Sequence, residues 1–238
     1  MKVFFVRHGQ TQANVDNIIY TKKDEMHPLT ERGIQQAIHT GKYLKKFCKF
    51  DLIISSPRLR TIQTADLISK ELNYDKKIII NDLIVEDFFN KVEGLNESEI
   101  NDLRQKNKKI SKLTDEIRNT NDPFKKNELI YERYFINSKE ITGGSTNIEI
   151  TKKLKKFLNS IKKLKEKCIL VVTHGGIMNI LQSIITNTYS NVIIYPKEKK
   201  NINPYKYEDG NTMIMACKLE KKTFKLVIPN STYHLDDL

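Results

Sequence analysis

An arginine and a histidine stand side by side directly after the first apolar run of the chain. Residues 3–6 have the composition of a buried strand, and Arg7, His8 and Gly9 follow where that strand should stop. Glycine lets the backbone turn and approach a ligand closely. Ligands of open α/β sheets bind beyond the carboxyl ends of strands. The stretch therefore predicts a phosphate site with a nucleophile in it; the alternative is a cationic surface loop.

Two further predicted strands end in the same kind of residue. Residues 51–55 form an apolar run that leads to Arg60, and residues 168–172 lead directly to His174 and Gly175. The carboxyl ends of parallel strands share one edge, so two arginines and two histidines should converge there. Arginine binds phosphate oxygens as a fork. Histidine can act as a nucleophile or move a proton near neutral pH. A purely structural role explains this combination poorly.

The predicted strands alternate with predicted helices. Thr30 is a candidate N-cap for a helix to residue 44, and Thr146 with Glu149 has the spacing of a capping box. Residues 212–218 and 224–228 should form a strand pair. The pattern predicts an α/β three-layer sandwich with a mostly parallel sheet and helices on both faces. We expect one domain over residues 1–238, with a helical insertion at about 95–140 over the active site; a partly disordered surface excursion is the alternative.

Composition narrows the partners. The 238 residues carry a net charge of +12, which fits either a nucleic-acid or membrane surface or a lysine-rich solvated surface. The chain lacks an RNA-binding signature and a zinc ligand set, so we expect no nucleic acid and no metal. The basic amphipathic helix after Thr146 should pack on the sheet, although such a helix could also lie on a membrane.

The same composition bears on location. No run reaches transmembrane length, and nothing near the first strand resembles a signal peptide. Cys48, Cys168 and Cys217 are widely spaced, which predicts buried free thiols in a reducing compartment. We therefore expect a cytoplasmic protein with no integral membrane segment.

Taken together, these motifs resemble those of the histidine phosphatase superfamily, which includes phosphoglycerate mutases. The resemblance covers almost the whole chain and rests on Arg7-His8-Gly9-Gln10-Thr11 with Asn14, Pro28-Leu29-Thr30-Glu31-Arg32-Gly33 with Gln36-Ala37, Ser55-Ser56-Pro57 with Arg60 and Gln63-Thr64-Ala65, Val172-Thr173-His174-Gly175-Gly176, and Glu86 seven residues before Glu93-Gly94. Three positions depart from the family pattern: Asn90 replaces a glycine, Val92 a tryptophan and Met26 an aspartate. These departures concern the loop that faces the substrate.

The resemblance implies a role for each matching residue. His8 would attack phosphorus and become a phosphohistidine, and Glu86 would protonate the leaving oxygen and then activate water. The phosphoryl oxygens would be held by Arg7, Arg60 and His174. Further substrate contacts are expected from Gln10, Thr11, Asn14 and Gly175. No metal or cofactor is expected; 2,3-bisphosphoglycerate would serve as a primer only in a mutase.

Two substitutions favour a phosphatase over a mutase. Asp87 stands where cofactor-dependent phosphoglycerate mutases have an arginine that holds the substrate, and Gly176 follows Gly175 as in the phosphatase branch. The alternatives are a mutase that interconverts 2- and 3-phosphoglycerate, and a regulatory or binding module of the same fold. The substrate would be a small phosphorylated metabolite or a phosphoprotein. The oligomeric state stays open, although related proteins are often homodimers.

Overall fold

The structure is a computed structural model that describes residues 1–19, 27–87, 89–186 and 210–235. Within these ranges, six strands form one sheet: β1 (Lys2–Arg7), β2 (Leu52–Ser55), β3 (Ile79–Ile80), β4 (Cys168–Thr173), β5 (Ile214–Glu220) and β6 (Thr223–Ser231). The helices are α1 (Gln12–Val15), α2 (Glu31–Leu44), α3 (Leu59–Glu71), α4 (Glu97–Lys106), α5 (Lys108–Asn119), α6 (Pro123–Ile136), α7 (Asn147–Ile161) and α8 (Gly175–Thr186). Short helical turns cover Asp82–Ile84 and Tyr233–Leu235, and a π-helical turn covers Asn137–Thr142.

The sheet order explains how the two histidines meet. The strands follow the order β3-β2-β4-β1-β5-β6; the first four run parallel, and β5 and β6 form an antiparallel pair. In the parallel pair of β1 and β4, Arg7 lies opposite Thr173. His8 directly follows β1 and His174 directly follows β4, so the two histidines leave the sheet side by side. The predicted mostly parallel α/β sheet is confirmed.

Two apolar layers hold the helices on the two faces of the sheet. On one face, Phe5 and Val171 pack with the buried side of α7 and with α8. On the other face, Phe4 and Val172 pack with residues of α2 and α3. Strand β4 is buried along its whole length, as expected for a central strand covered by helices on both sides. Each such buried side chain contributes about 1.5–3 kcal/mol of hydrophobic stabilisation. Successive strand residues therefore pack against helices on opposite faces of the sheet, which gives the three-layer architecture.

The predicted helix starts are confirmed. The Thr30 hydroxyl accepts a hydrogen bond from the Gly33 amide at 3.0 Å, and Thr146 and Glu149 form the expected capping box. The apolar side of α7, including Leu154 and Phe157, is buried against the sheet rather than left for a membrane. Within the described ranges, no helix is long and apolar enough to cross a membrane.

The hairpin between β5 and β6 has no glycine. Its turn instead places Lys221 and Lys222 at φ values of 46° and 68°. Two consecutive left-handed residues suit the right-handed twist of a two-residue hairpin. The predicted strand pair is therefore confirmed.

The region predicted as a helical insertion contains α4, α5 and α6, and Pro123 begins α6. A small apolar cluster joins these helices to the segment after Glu86, through Val92, Ile100 and Ile110 among others. The backbone of Ile19 also exchanges hydrogen bonds with residues 94 and 95. The insertion is thus attached beside the loops that follow the strand ends. That the insertion covers the active site stays a prediction, and so does the single domain over residues 1–238.

One sequence prediction needs correction. Cys48 and Cys168 form a disulfide, with their Cα atoms 6.7 Å apart, whereas Cys217 is free and buried. The prediction of three free thiols is wrong because the fold brings the segment after α2 beside the start of β4. The cytoplasmic location stays a prediction, and three free thiols no longer support it. Strand β3 is only two residues long, and both of its residues are exposed because it is an edge strand.

Candidate active site

His8 and His174 lie at the carboxyl edge of the sheet with their ring centroids 5.5 Å apart. The His8 amide donates to the carbonyl of Thr173 at 3.0 Å, which continues the pairing of β1 and β4 by one step. Both histidines are buried, with exposed fractions of 4% and 0%. The sheet register therefore fixes the spacing between these two side chains.

The hydrogen bonding of His8 suits a nucleophile. Its Nδ1 lies 2.8 Å from the Gly9 carbonyl oxygen, which can only accept, so Nδ1 carries the proton. Nε2 has no hydrogen-bond partner among the described residues, and its lone pair is available. Burial, followed by the charges of Arg60 and Arg7, holds the pKa of His8 well below 6.5, although the bond to Gly9 opposes that shift. His8 is therefore neutral at pH 7.

His174 has a partner at each ring nitrogen. Nε2 lies 2.8 Å from the Ser56 hydroxyl, and Nδ1 lies 3.3 Å from the Arg60 guanidinium. Burial is the main cause that lowers the pKa of His174 well below 6.5, and the nearby charge of Arg60 adds to it. Ser56 belongs to the Ser55-Ser56-Pro57 motif, but the sequence alone indicated no role for it.

The arginines reach the site from two elements. Arg60 lies in the first turn of α3 and is buried, and Arg58 precedes that helix. Arg58 is close enough to His174 to lower the pKa of that imidazole, and sequence reasoning gave it no role. The Arg7 side chain crosses the start of α8, where a Cβ built on Gly175 would meet its Cδ and Nε at 3.4 Å. Cationic groups from β1 and α3 thus surround both histidines.

Two glycines allow the loop after β1 to pack against the start of α2. A Cβ on Gly9 would lie 2.5 Å from the Gly33 carbonyl oxygen, and a Cβ on Gly33 would lie 2.8 Å from the Gln10 nitrogen. Thr64 adds a second tie, because its hydroxyl accepts from the Gly9 amide at 2.9 Å and donates to the Arg60 carbonyl. The loop that carries His8 therefore packs closely against both α2 and α3.

Asn14 is joined to His8 through Asn211, which sequence reasoning missed. The Asn211 Nδ2 donates to the His8 carbonyl at 3.3 Å and to the Asn14 Oδ1 at 3.1 Å. The amide of Thr212 donates to the same His8 carbonyl at 3.1 Å. The Asn14 Oδ1 also accepts from Thr11, which leaves its Nδ2 as the group that can donate to a ligand. Asn211 gave no local signal, because it lies 203 residues from His8.

Glu86 is brought to the start of α8. Its Oε1 accepts a hydrogen bond from the Gly176 amide at 3.1 Å, in the first turn of that helix. The preceding turn is fixed by the Thr173 hydroxyl, which donates to the Ile84 carbonyl at 2.7 Å. The candidate acid is thus anchored to the same strand end that carries His174.

The remaining predicted residues have mainly local contacts. The Gln10 side chain accepts from the Thr30 hydroxyl at 2.9 Å, and Thr11 caps α1. Both therefore support the loop. Asp87, which stands where mutases have an arginine, is itself engaged: its carboxylate accepts from the Ser145 hydroxyl at 2.9 Å and lies 3.9 Å from the Lys153 amine. Met26 lies outside the described residues.

No group of three or more potential metal ligands occurs within the part of the chain that the structure describes. The convergent charges at this edge come from arginine side chains and from the amide groups that begin α8. Arginines and helix N-termini are groups that bind phosphate. The geometry therefore forms an anion site with a neutral imidazole in it.

The chain is similar to several known proteins. A mitochondrial serine/threonine-protein phosphatase Pgam5 from Drosophila ananassae is 38% identical over 80 residues, which are 33% of this chain and 26% of that protein. The chain thus matches about a quarter of the length of such curated relatives. A phosphoserine phosphatase variant from Entamoeba histolytica, solved with phosphoserine, superimposes with a TM-score of 0.64 at 21% identity over 98% of each chain.

A phosphoglycerate mutase from Bacillus anthracis gives a TM-score of 0.68 at 19% identity, over 96% of this chain and 92% of the other. These structural likenesses show the fold. The sequence profile of the histidine phosphatase superfamily (branch 1) matches residues 3–216. Because this match spans most of the chain and includes both strand-end histidines, the protein belongs to branch 1 of the histidine phosphatase superfamily.

Proposed function

We propose that the protein is a metal-independent phosphomonoester hydrolase that acts through a phosphohistidine on His8. The observation that carries the proposal is the state of that side chain. The Gly9 carbonyl holds Nδ1–H, burial and two arginines keep the ring neutral, and Nε2 keeps its lone pair. A neutral imidazole nitrogen beside cationic groups can attack phosphorus without first losing a proton.

The surrounding residues have complementary roles in this proposal. Arg7, Arg60 and His174 hold the equatorial oxygens and stabilise the charge that develops on them in the transition state. The Nδ2 of Asn14 adds one donor, since its Oδ1 is already engaged by Thr11 and Asn211. The N-terminus of α8, whose Gly176 amide is bonded to Glu86, favours the same negative charge. These groups supply the positive charge that a metal ion supplies in other phosphatases.

Glu86 acts as the general acid and then as the general base. Protonated Glu86 gives its proton to the leaving oxygen as the bond from phosphorus to that oxygen breaks. The resulting carboxylate takes a proton from the water that attacks phosphohistidine, which returns both groups to their starting states. The hydrogen bond from the Gly176 amide, at 3.1 Å, keeps the carboxyl group beside the second histidine through both steps.

The substrate in this proposal is a small phosphorylated metabolite or a phosphoprotein. Structural relatives include a phosphoserine phosphatase and an alpha-ribazole phosphatase from Shigella flexneri, and the curated relatives are serine/threonine-protein phosphatases. All of these are phosphatases of monoesters that differ in the leaving group. The insertion formed by α4 to α6 is the part of this chain that we propose selects among them.

Turnover of p-nitrophenyl phosphate in the presence of a chelator tests the proposal. We expect steady release of p-nitrophenol by the unaltered protein, and none by His8→Ala with an unchanged circular dichroism spectrum. A regulatory or binding module of this fold should release no product at all. Turnover by His8→Ala at the rate of the unaltered protein would contradict the assignment of His8.

A further inference from the structure

The two partners of His174 determine which nitrogen carries its proton. A guanidinium group only donates hydrogen bonds, so the Nδ1 that lies 3.3 Å from Arg60 must accept. The proton of the neutral ring is then on Nε2, which donates to the Ser56 hydroxyl oxygen at 2.8 Å. His174 thus presents a lone pair, not a proton, on the side that faces Arg60.

Ser56 is a fixed acceptor. Its side chain is fully buried, and its amide donates to the Val172 carbonyl at 3.0 Å. Its carbonyl accepts from the Thr61 hydroxyl at 2.8 Å. These backbone bonds hold Ser56 between β2 and α3 independently of any ligand. The bond from Nε2–H to Ser56 is therefore retained when a ligand enters on the Arg60 side.

A phosphoryl group brings only acceptor oxygens when it is a dianion. If the Arg60 Nη2–H group that donates to Nδ1 turns to one of those oxygens, Nδ1 loses its donor. The Nδ1 lone pair would then face an oxygen lone pair in a buried site. Two unpaired acceptors in contact are costly away from water, whereas an added proton converts the contact into a charge-assisted hydrogen bond.

The charges around His174 oppose its protonation in the free site, and a bound dianion weakens that opposition. Burial lowers the pKa of His174 most. The groups that face the ring from β1, from the residue after it and from α3 with its N-cap lower this pKa further: Arg60, His8, Arg58 and Arg7. The Glu86 carboxyl group lies on the Gly176 amide at the start of α8. A bound dianion offsets the arginine charges, so the main electrostatic obstacle to an imidazolium is reduced while its new partner is supplied.

We propose that binding of a phosphoryl dianion is coupled to the uptake of one proton at Nδ1 of His174, and that Ser56 is the positioning residue that directs the proton to this nitrogen. The inference rests on the proposed function. One proton passes from solvent to Nδ1 as an N–H bond forms, no other bond breaks, and the proton returns to solvent when the anion leaves. His174 thereby changes from an acceptor to a cationic donor only while the anion is bound.

Sulfate is a suitable probe because it stays dianionic across the neutral pH range. The His8→Ala variant removes the other imidazole that could take a proton and allows equilibrium measurement. We expect calorimetry in buffers of different ionisation enthalpy to show uptake of about one proton per sulfate. Sulfate affinity should fall by up to about tenfold for each unit rise in pH at constant ionic strength. Affinity that does not change with pH would overturn the inference.

Two further variants in the His8→Ala background assign the proton. Ser56→Ala removes the acceptor at Nε2, so the neutral tautomer with Nδ1–H can bind sulfate directly, and uptake should fall toward zero while binding persists. His174→Gln should also bind sulfate without uptake. Unchanged uptake in His174→Gln would assign the proton to Glu86 and overturn the inference. Failure of sulfate and p-nitrophenyl phosphate to bind any form would instead refute the phosphate site itself.

Discussion

Gly33→Ala should impair catalysis although residue 33 is part of no reacting group. A Cβ at this position would lie 2.8 Å from the Gln10 nitrogen and closer still to the Gln10 carbonyl oxygen, whereas ordinary contact begins at 3.4 Å. Both neighbours are backbone atoms of the loop that carries His8, so the loop and α2 must separate by more than about 0.6 Å. A misplacement of about 1 Å can cost on the order of a hundredfold in rate.

We therefore expect kcat/KM for p-nitrophenyl phosphate to fall by roughly tenfold to a hundredfold in Gly33→Ala. Gly41→Ala is the matched control in the same helix. Its Cβ would meet the Glu71 Cβ at 2.6 Å, near the end of α3 that is remote from Arg60. Overpacking there should lower the free energy of unfolding by about 1–3 kcal/mol and leave kcat/KM close to that of the unaltered enzyme. Equal activity in both variants, with both folded, would refute the proposed role of the contact between the loop and α2.

Three further outcomes follow from the site. Glu86→Gln should slow hydrolysis of an alkyl phosphate on the order of a hundredfold more than that of p-nitrophenyl phosphate, whose leaving group needs no proton; equal losses would remove Glu86 as the acid. Because the pKa values of His8 and His174 are held well below 6.5, their resonances should show no titration midpoint near that pH in NMR spectra of the free enzyme. Because protonation near pH 6.5 then favours the unfolded chain, the free energy of unfolding should decrease as pH falls below that value. Finally, phosphate release should exceed interconversion of 2- and 3-phosphoglycerate, even with bisphosphoglycerate added; an enolase-coupled assay that shows faster interconversion would favour the mutase.

Much of the site could be predicted because it depends on local patterns. The apolar runs of β1 and β4 end directly before His8 and His174, the run of β2 ends shortly before Arg60, and parallel strands bring their ends to one edge. The capping residues Thr30 and Thr146 likewise act within a few residues of their own position. The convergence of His8, Arg60 and His174 therefore follows from the strand pattern once a parallel sheet is assumed.

The contacts that escaped prediction join residues that are remote along the chain. Ser56 and His174 are 118 residues apart, and the cysteines of the disulfide are 120 residues apart. Whether such pairs meet depends on strand order and on side-chain direction, which no local period encodes. Asp87 illustrates the same limit: its replacement of an arginine could be read from the sequence, but its direction toward Ser145 and Lys153 depends on how α7 packs.

Trapping of the covalent intermediate tests the central claim most directly. Enzyme mixed with a phosphomonoester and quenched in base should carry an acid-labile phosphate, and mass spectrometry of the digested protein should locate it on the peptide that contains His8. The same experiment with His174→Gln should still label His8, at a reduced level, because His174 only holds the phosphoryl oxygens in this account. Phosphate on the peptide that contains His174, or steady hydrolysis by an enzyme that never becomes labelled, would contradict the account.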